Sequence, residues 1–180
     1  MAWQGETSAN AARVAVVKAA GLDYTTEAGL SYSENLLGAG TNSKSTFTSL
    51  KAAVAQVLSD DEGSCVGIAN EVGTAKIANP FAAGDIAYVE SPYSYNSITD
   101  FQDNLRSVRN VWYGSTNGSV AATSFAKFFE AVGKQTTVES ATLNAIGKIG
   151  AMPAPFVKYC SIVWGKNFDD PNNWESTSEE

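Results

Sequence analysis

A chain of 180 residues with 44% hydrophobic and 11% aromatic content is long enough for one domain with a sizeable core. A net charge of −7 argues against a nucleic-acid backbone or an anionic membrane surface as partner, because both need clustered Lys and Arg. Histidine is absent, which removes the commonest metal ligand and the commonest general base. The absence of a long apolar run excludes a transmembrane segment, and the start Met1-Ala-Trp-Gln-Gly-Glu6 lacks the basic and apolar regions of a signal peptide. An exported parent would have lost its leader here.

Residues 1–8 are polar and expected to fray, and Ser8 or Thr7 can cap a first helix running through Val14, Val17 and Ala20 toward Leu36 and Leu37. Gly21 and Gly29 weaken it, so a kink or break near Gly21 is expected. After a loop over 38–43, Phe47, Leu50, Val54, Val57 and Leu58 give an amphipathic helix, closed by Asp60-Asp-Glu-Gly63. Those acids do not supply the alternating ligands of a calcium loop and read as a solvated turn. Cys65, Ile68, Val72 and Ala75 share the apolar face of a further helix, which makes Cys65 a buried free thiol ahead of a disulfide partner for Cys160. That helix is expected to stop before Asn79-Pro80.

Residues 79–96 form a long connection that delivers Glu90, Tyr93, Ser94 and Asn96 to the start of the next helix, where polar groups make a natural oxyanion or carboxylate site. Ser97 followed by Asp100 is a helix start of the S-x-x-D kind. From there Ile98, Phe101, Leu105, Val108 and Trp112 fall along one apolar stripe, a core face. Asp100, Asn104 and Ser107 form a second line, extended backward by Asn96. Asn, Ser and Asp are poor helix formers that cost stability unless their side chains bond something. The line is therefore either a buried network between helices or a ligand- or metal-facing site. Beyond a turn at 114–118, Ala121, Phe125, Phe128, Phe129 and Val132 make a short helix ending at Gly133, with three phenylalanines expected in the core. Thr136 or Thr137 starts a last helix through Leu143, Ile146 and Ile149, terminated by Pro153 and Pro155. The acidic tail 167–180 is expected to lie in solvent. No strand period persists, so the fold class is an all-α helical bundle of about six helices spanning 9–166.

Asn96-Ser97 with Asp100, then Asn104, and then Ser107-Val-Arg-Asn-Val-Trp-Tyr-Gly114, resemble the start of the second half of imelysin-like proteins, a bacterial cell-envelope family classed with metallopeptidases. Ile149-Gly-Ala-Met-Pro-Ala-Pro-Phe156 resembles the end of a later helix of that half, and Asn70-Glu-Val-Gly-Thr-Ala-Lys-Ile-Ala-Asn-Pro-Phe81 the helix and loop before it in gut-Bacteroidetes members. The similarity runs in matched order over residues 10 to 165. It implies a helical protein of two related halves with a site in the cleft between them, a periplasmic or outer-membrane-associated location, and a divalent cation as cofactor. In the family a G-x-H-x-x-E motif of the first half carries the metal-holding residues, and no residue here can supply that histidine. Where classical members have Asp and His in a Ser-Asp-Asn-Thr-His stretch, this chain has Tyr95 and Ile98. Zinc hydrolysis, serine hydrolysis and phosphate-loop or dinucleotide binding likewise lack their residue sets.

Three functions follow from these residues taken together with what the resemblance implies. In the first, the chain is a non-catalytic cell-envelope domain whose polar cleft holds a small molecule or hard cation through Glu90, Ser94, Asn96, Asp100, Asn104, Ser107 and Asn110. In the second it is a fragment or shortened member of a metallopeptidase whose G-x-H-x-x-E lies elsewhere. In the third it is a structural bundle with an internal polar network. Family second halves continue into one more long helix after the Pro-x-Pro-Phe turn, where this chain instead runs into Asn167-Phe-Asp-Asp-Pro-Asn-Asn-Trp174. The expectation is an open helix groove, either closed by an adjusted shape or left as an apolar strip that attracts a partner or a second copy.

Overall fold

The computed structural model describes residues 4–60, 63–82, 89–157 and 160, and these are helical and irregular, with no strand among them. The chain divides into two compact units, residues 1–61 and 62–180. The tail 167–180 and the groove expected beyond Phe156 lie outside the described residues.

In the first unit the helical stretch read between residues 8 and 37 breaks at Gly21, where the glycine was expected to weaken it, and forms two helices, α1 (Ala11–Ala19) and α2 (Tyr32–Leu37), separated by irregular residues 20–31. Neither Thr7 nor Ser8 caps α1. The N-cap is Asn10, whose side chain turns back to accept from the Thr7 N–H at 2.8 Å and to donate to the Gly5 carbonyl. Helix α2 begins at a complete capping box, the Ser31 Oγ accepting from the Glu34 N–H and the Glu34 carboxylate accepting from the Ser31 N–H. Buried Asn35 then fastens the following loop, its side chain donating to Thr46 Oγ1 and accepting from the Thr46 N–H, both at 2.8 Å. Helix α3 (Leu50–Leu58) starts at Ser49, which accepts from the Ala52 N–H, and buries Ala53. Apolar burial is thin: Val14 and Ala53 are enclosed, while Leu37 is 83% exposed.

The second unit is built on its central helix. Helix α4 (Cys65–Glu71) is capped by Ser64 and passes without interruption into a π-helical stretch, Val72–Ala78, and then into α5 (Asn79–Ala82). The expected stop before Asn79-Pro80 does not occur. The Asn79 N–H reaches back five residues to the Thr74 carbonyl, and this wider winding carries the helix past a proline that has no N–H to donate and whose ring would crowd the carbonyl four residues earlier.

Helix α6 (Ser97–Tyr113) buries Phe101, Leu105 and Trp112, as the apolar stripe predicts, and packs on α4, the π stretch, α7 (Phe125–Ala131) and most extensively on α8 (Gln135–Gly150). Two cores result. One gathers Val72, Val89, Phe101, Leu105, Ile149, Phe156, Val157 and Cys160, with Phe156 edge-on to Phe101 at 5.2 Å. The other gathers Trp112, Tyr113 and Ala126, with Phe125 and Phe129 against it. Phe128 is the exception among the three phenylalanines: it is 63% exposed, because on so short a helix only one side can face α6. Gln102 Nε2 donates to the Ile146 carbonyl at 2.9 Å and fixes α6 against α8. Both cysteines are free, Cys160 buried and Cys65 only half-buried rather than enclosed.

Candidate functional site

The start of α6 differs from the S-x-x-D cap that the sequence suggests. The N-cap is Asn96, and Ser97 is the first helical residue, its hydroxyl donating to the backbone carbonyl of Glu90. Drawn off by that carbonyl, Ser97 is buried and makes no cap. Asp100 is held from two sides instead: Ser91 Oγ donates to Oδ2 at 2.5 Å, and Asn96 Nδ2 donates to Oδ1 at 2.6 Å. The carboxylate thus sits in the first turn of a 17-residue helix, where the positive end of the dipole favours it, and both of its oxygens are engaged.

The loop that brings these donors in is tightly bent. Ser91 and Tyr95 both have left-handed backbones, with φ of 54° and 57°, a conformation that side chains other than glycine's adopt at a cost and that clusters at ligand clamps. Ser94 is exposed and donates to the Ser91 carbonyl, closing the turn. Between them Tyr93 stands 82% exposed. Glu90 is anchored from the opposite side by Lys76 of the π stretch, Nζ to Oε2 at 2.9 Å, and Lys76 also lies 3.8 Å from Glu71.

Of the seven residues singled out in the sequence, the structure therefore brings Glu90, Ser94, Asn96 and Asp100 into one loop-and-helix cluster. Asn104, Ser107 and Asn110 lie farther along α6 and do not join it. Ser107 Oγ bonds back to the Asn104 carbonyl at 2.6 Å, a helix-internal contact, and Asn110 accepts from Arg109 Nη2 at 3.1 Å. Two members were not foreseen. Ser91 escapes a helix pattern because it precedes Pro92 in an irregular loop, and Lys76 is the one cation of its helix, with its nearer partner, Glu90, 14 residues away in that loop. The polar character of the loop was read from Glu90, Tyr93, Ser94 and Asn96, and the signal for Ser91 is its hydroxyl in that same run.

The residues do not fit a catalytic metal. Among the described residues no three of Asp, Glu and Cys come together to hold an ion, and Glu90 and Asp100 already have protein partners. No helix of the described residues is long and apolar enough to cross a membrane. No curated protein and no solved structure matches the chain. A family model described as imelysin matches residues 6–168, nearly the whole length and in the span where the α6 motifs already pointed to it, and the chain belongs to the imelysin family.

Proposed function

We propose that this chain is a non-catalytic imelysin domain of the cell envelope that binds a small, hydroxyl-bearing molecule at the loop 90–96 and the first turns of α6. The observation that carries this reading is the Ser91–Asp100–Asn96 cluster. It is a polar array fixed in advance by short hydrogen bonds on a loop with two left-handed residues, half-open to solvent beside the exposed Tyr93 ring. Lys76 answers the charge of Glu90, and both oxygens of Asp100 are in use, so a neutral ligand that exchanges hydroxyls with these groups suits the site better than a hard cation. The absence of histidine from the sequence supports the non-catalytic part, since it removes the commonest ligand of a catalytic zinc and the commonest general base.

Saturation-transfer NMR with a panel of monosaccharides and polyols tests the binding, with calcium chloride as a parallel arm. Binding of a neutral polyol that Tyr93→Ala and Ser91→Ala both weaken is the expected result. Binding of calcium alone, or of neither, refutes it. Incubation with a general protein substrate, with and without added zinc, should yield no cleavage, and zinc-dependent cleavage abolished by a chelator would remove the non-catalytic reading.

A second reading has one observation in its favour: because each Asp100 oxygen already has a donor, the cluster also suits a purely internal network that holds the loop to α6. A site whose polyol affinity is unchanged by Ser91→Ala and Tyr93→Ala, in a protein that loses stability on Asp100→Asn, would favour it.

A further inference from the structure

At the other end of α6, two hydrogen-bond donors are shut off from solvent and meet no acceptor among the described residues: Arg109 Nε and Trp112 Nε1. Trp112 is 8% exposed and its ring is stacked on Phe129 with centroids 5.0 Å apart, so the indole cannot swing out to find water without losing that packing. Arg109 is half-buried and uses Nη2 on Asn110 Oδ1, which leaves Nε without a partner. Folded proteins leave few buried donors unpaired, because each forfeits its hydration for nothing, and one belonging to a cation forfeits more. Arg109 and Trp112 are three apart on α6, a spacing that places a charged and a neutral donor on one face of the helix.

We infer that Arg109 and Trp112 form a binding site for the carboxylate of a small molecule, one oxygen accepting from the Arg109 Nε–H and the other from the Trp112 indole N–H. The charge of the surroundings selects this class. One guanidinium balances one negative charge, whereas a phosphate dianion would bring two into a neighbourhood that already holds Glu139, which accepts from the Tyr113 hydroxyl at 2.6 Å. Arg109 is close enough to that pair for its charge to act on the Tyr113 phenol. The net charge of −7 adds to the discrimination against polyanions. A neutral carbonyl would satisfy one donor but make no charge-assisted bond to the guanidinium. Trp112 and Phe129 stack on each other and make the surroundings of these donors apolar, which strengthens a charge-assisted bond formed there. This site is separate from the loop 90–96 and does not depend on what binds there.

The test is a two-dimensional ¹H–¹⁵N NMR titration of the intact chain that follows the Arg109 Nε–H and Trp112 Nε1–H signals directly, with propionate, propionamide and inorganic phosphate as probes. Propionate should move both signals downfield and saturably. Propionamide and phosphate should bind at least about tenfold more weakly, a difference of one decade in Kd. Trp112→Phe, which keeps the ring and deletes the donor, and Arg109→Lys, which keeps the charge and deletes the Nε–H, should each weaken propionate by about the same factor. Should Arg109→Lys fail to fold, Trp112→Phe alone decides. The inference is overturned by the absence of a saturable shift with propionate, by equal binding of propionamide or phosphate, or by unchanged propionate affinity in Trp112→Phe.

Discussion

Asp100 and Asn104 lie one turn apart on α6 and in one polar line, yet their surroundings assign them opposite mutational outcomes. Asp100 accepts from Ser91 and Asn96 and faces the helix dipole, so Asp100→Asn weakens two charge-assisted bonds and should cost about 1–3 kcal/mol. The Asn104 side chain has no such partners among the described residues, and Asn104→Ala should change stability by no more than about 1 kcal/mol. Urea melts of both variants at unchanged m-value check this, and comparable large losses would mean that Asn104 too belongs to a closed network. The cysteines divide in a similar way. Burial pushes the Cys160 thiol up to about 11, whereas Cys65 is raised less and is only half-buried. Since the thiolate is the reactive form, Cys65 should label with a disulfide-type thiol reagent at about pH 8 while Cys160 waits for unfolding. Prompt labelling of two thiols per native chain would contradict it.

At the scale of elements, the two ends of α6 teach different lessons about what a sequence discloses. Its C-terminus is written in the chain. Gly114 sits at φ 66°, with its N–H on the Asn110 and Val111 carbonyls, and a Cβ there would come within 3.2 Å of the Thr123 carbonyl oxygen. Gly114→Ala should therefore cost more than the about 1–2 kcal/mol of left-handed backbone alone. Gly133→Ala, at φ 70° with open space around it, should cost only that. Thermal melts of the pair give the comparison, and equal losses would show that the crowding at Gly114 relaxes freely. The apolar stripe of α6 was legible for the same reason as its end: period and glycine are local signals. Its N-terminus was not, because the Ser97 hydroxyl is claimed by the Glu90 carbonyl, a choice made by the path of a loop that has no period. The seven-residue site was legible only as far as that loop reaches: Asn96 and Asp100 meet, but a helical line alone could not tell that Ser107 would bond its own helix or that Ser91 would complete the cluster. Pro80 misleads in the same way, since local rules end a helix there and only the π winding, fixed by packing of Val72 and Ile77 into the core, carries it through.

For the whole molecule, the absence of histidine fixes how stability follows pH. Apart from the α-amino group, nothing in the chain has an ordinary pKa between about 6 and 8, so the numbers of protons bound by folded and unfolded forms change together there and stability should be flat. On the acid side, hydrogen bonds from the Ser31 N–H and hydroxyl hold Glu34 below its ordinary 4.5. A depressed carboxyl contributes stability above that value and loses it as pH falls through the folded one, because the unfolded form takes up the proton first. On the alkaline side the sign reverses. Burial raises Cys160 from 9.0 to about 11, and the bond to Glu139 followed by burial raises Tyr113 above 10.0. Each stays neutral in the fold while the unfolded chain ionises, so the Cys160 contribution is whole below about pH 9 and is lost on the way to about 11, and the Tyr113 contribution is lost as pH rises above its ordinary 10.0. Urea midpoints measured in steps from acid to alkali should thus trace a plateau between about pH 6 and 8 with a fall on either side. Cys160→Ala should lower the plateau, by the packing it removes, and flatten part of the alkaline fall. A steep change inside the plateau would mean that some carboxylate has been driven to neutrality, or some thiol to ionisation, by its surroundings, and an alkaline limb unaltered by Cys160→Ala would place its origin at the other raised groups, Tyr113 and Cys65.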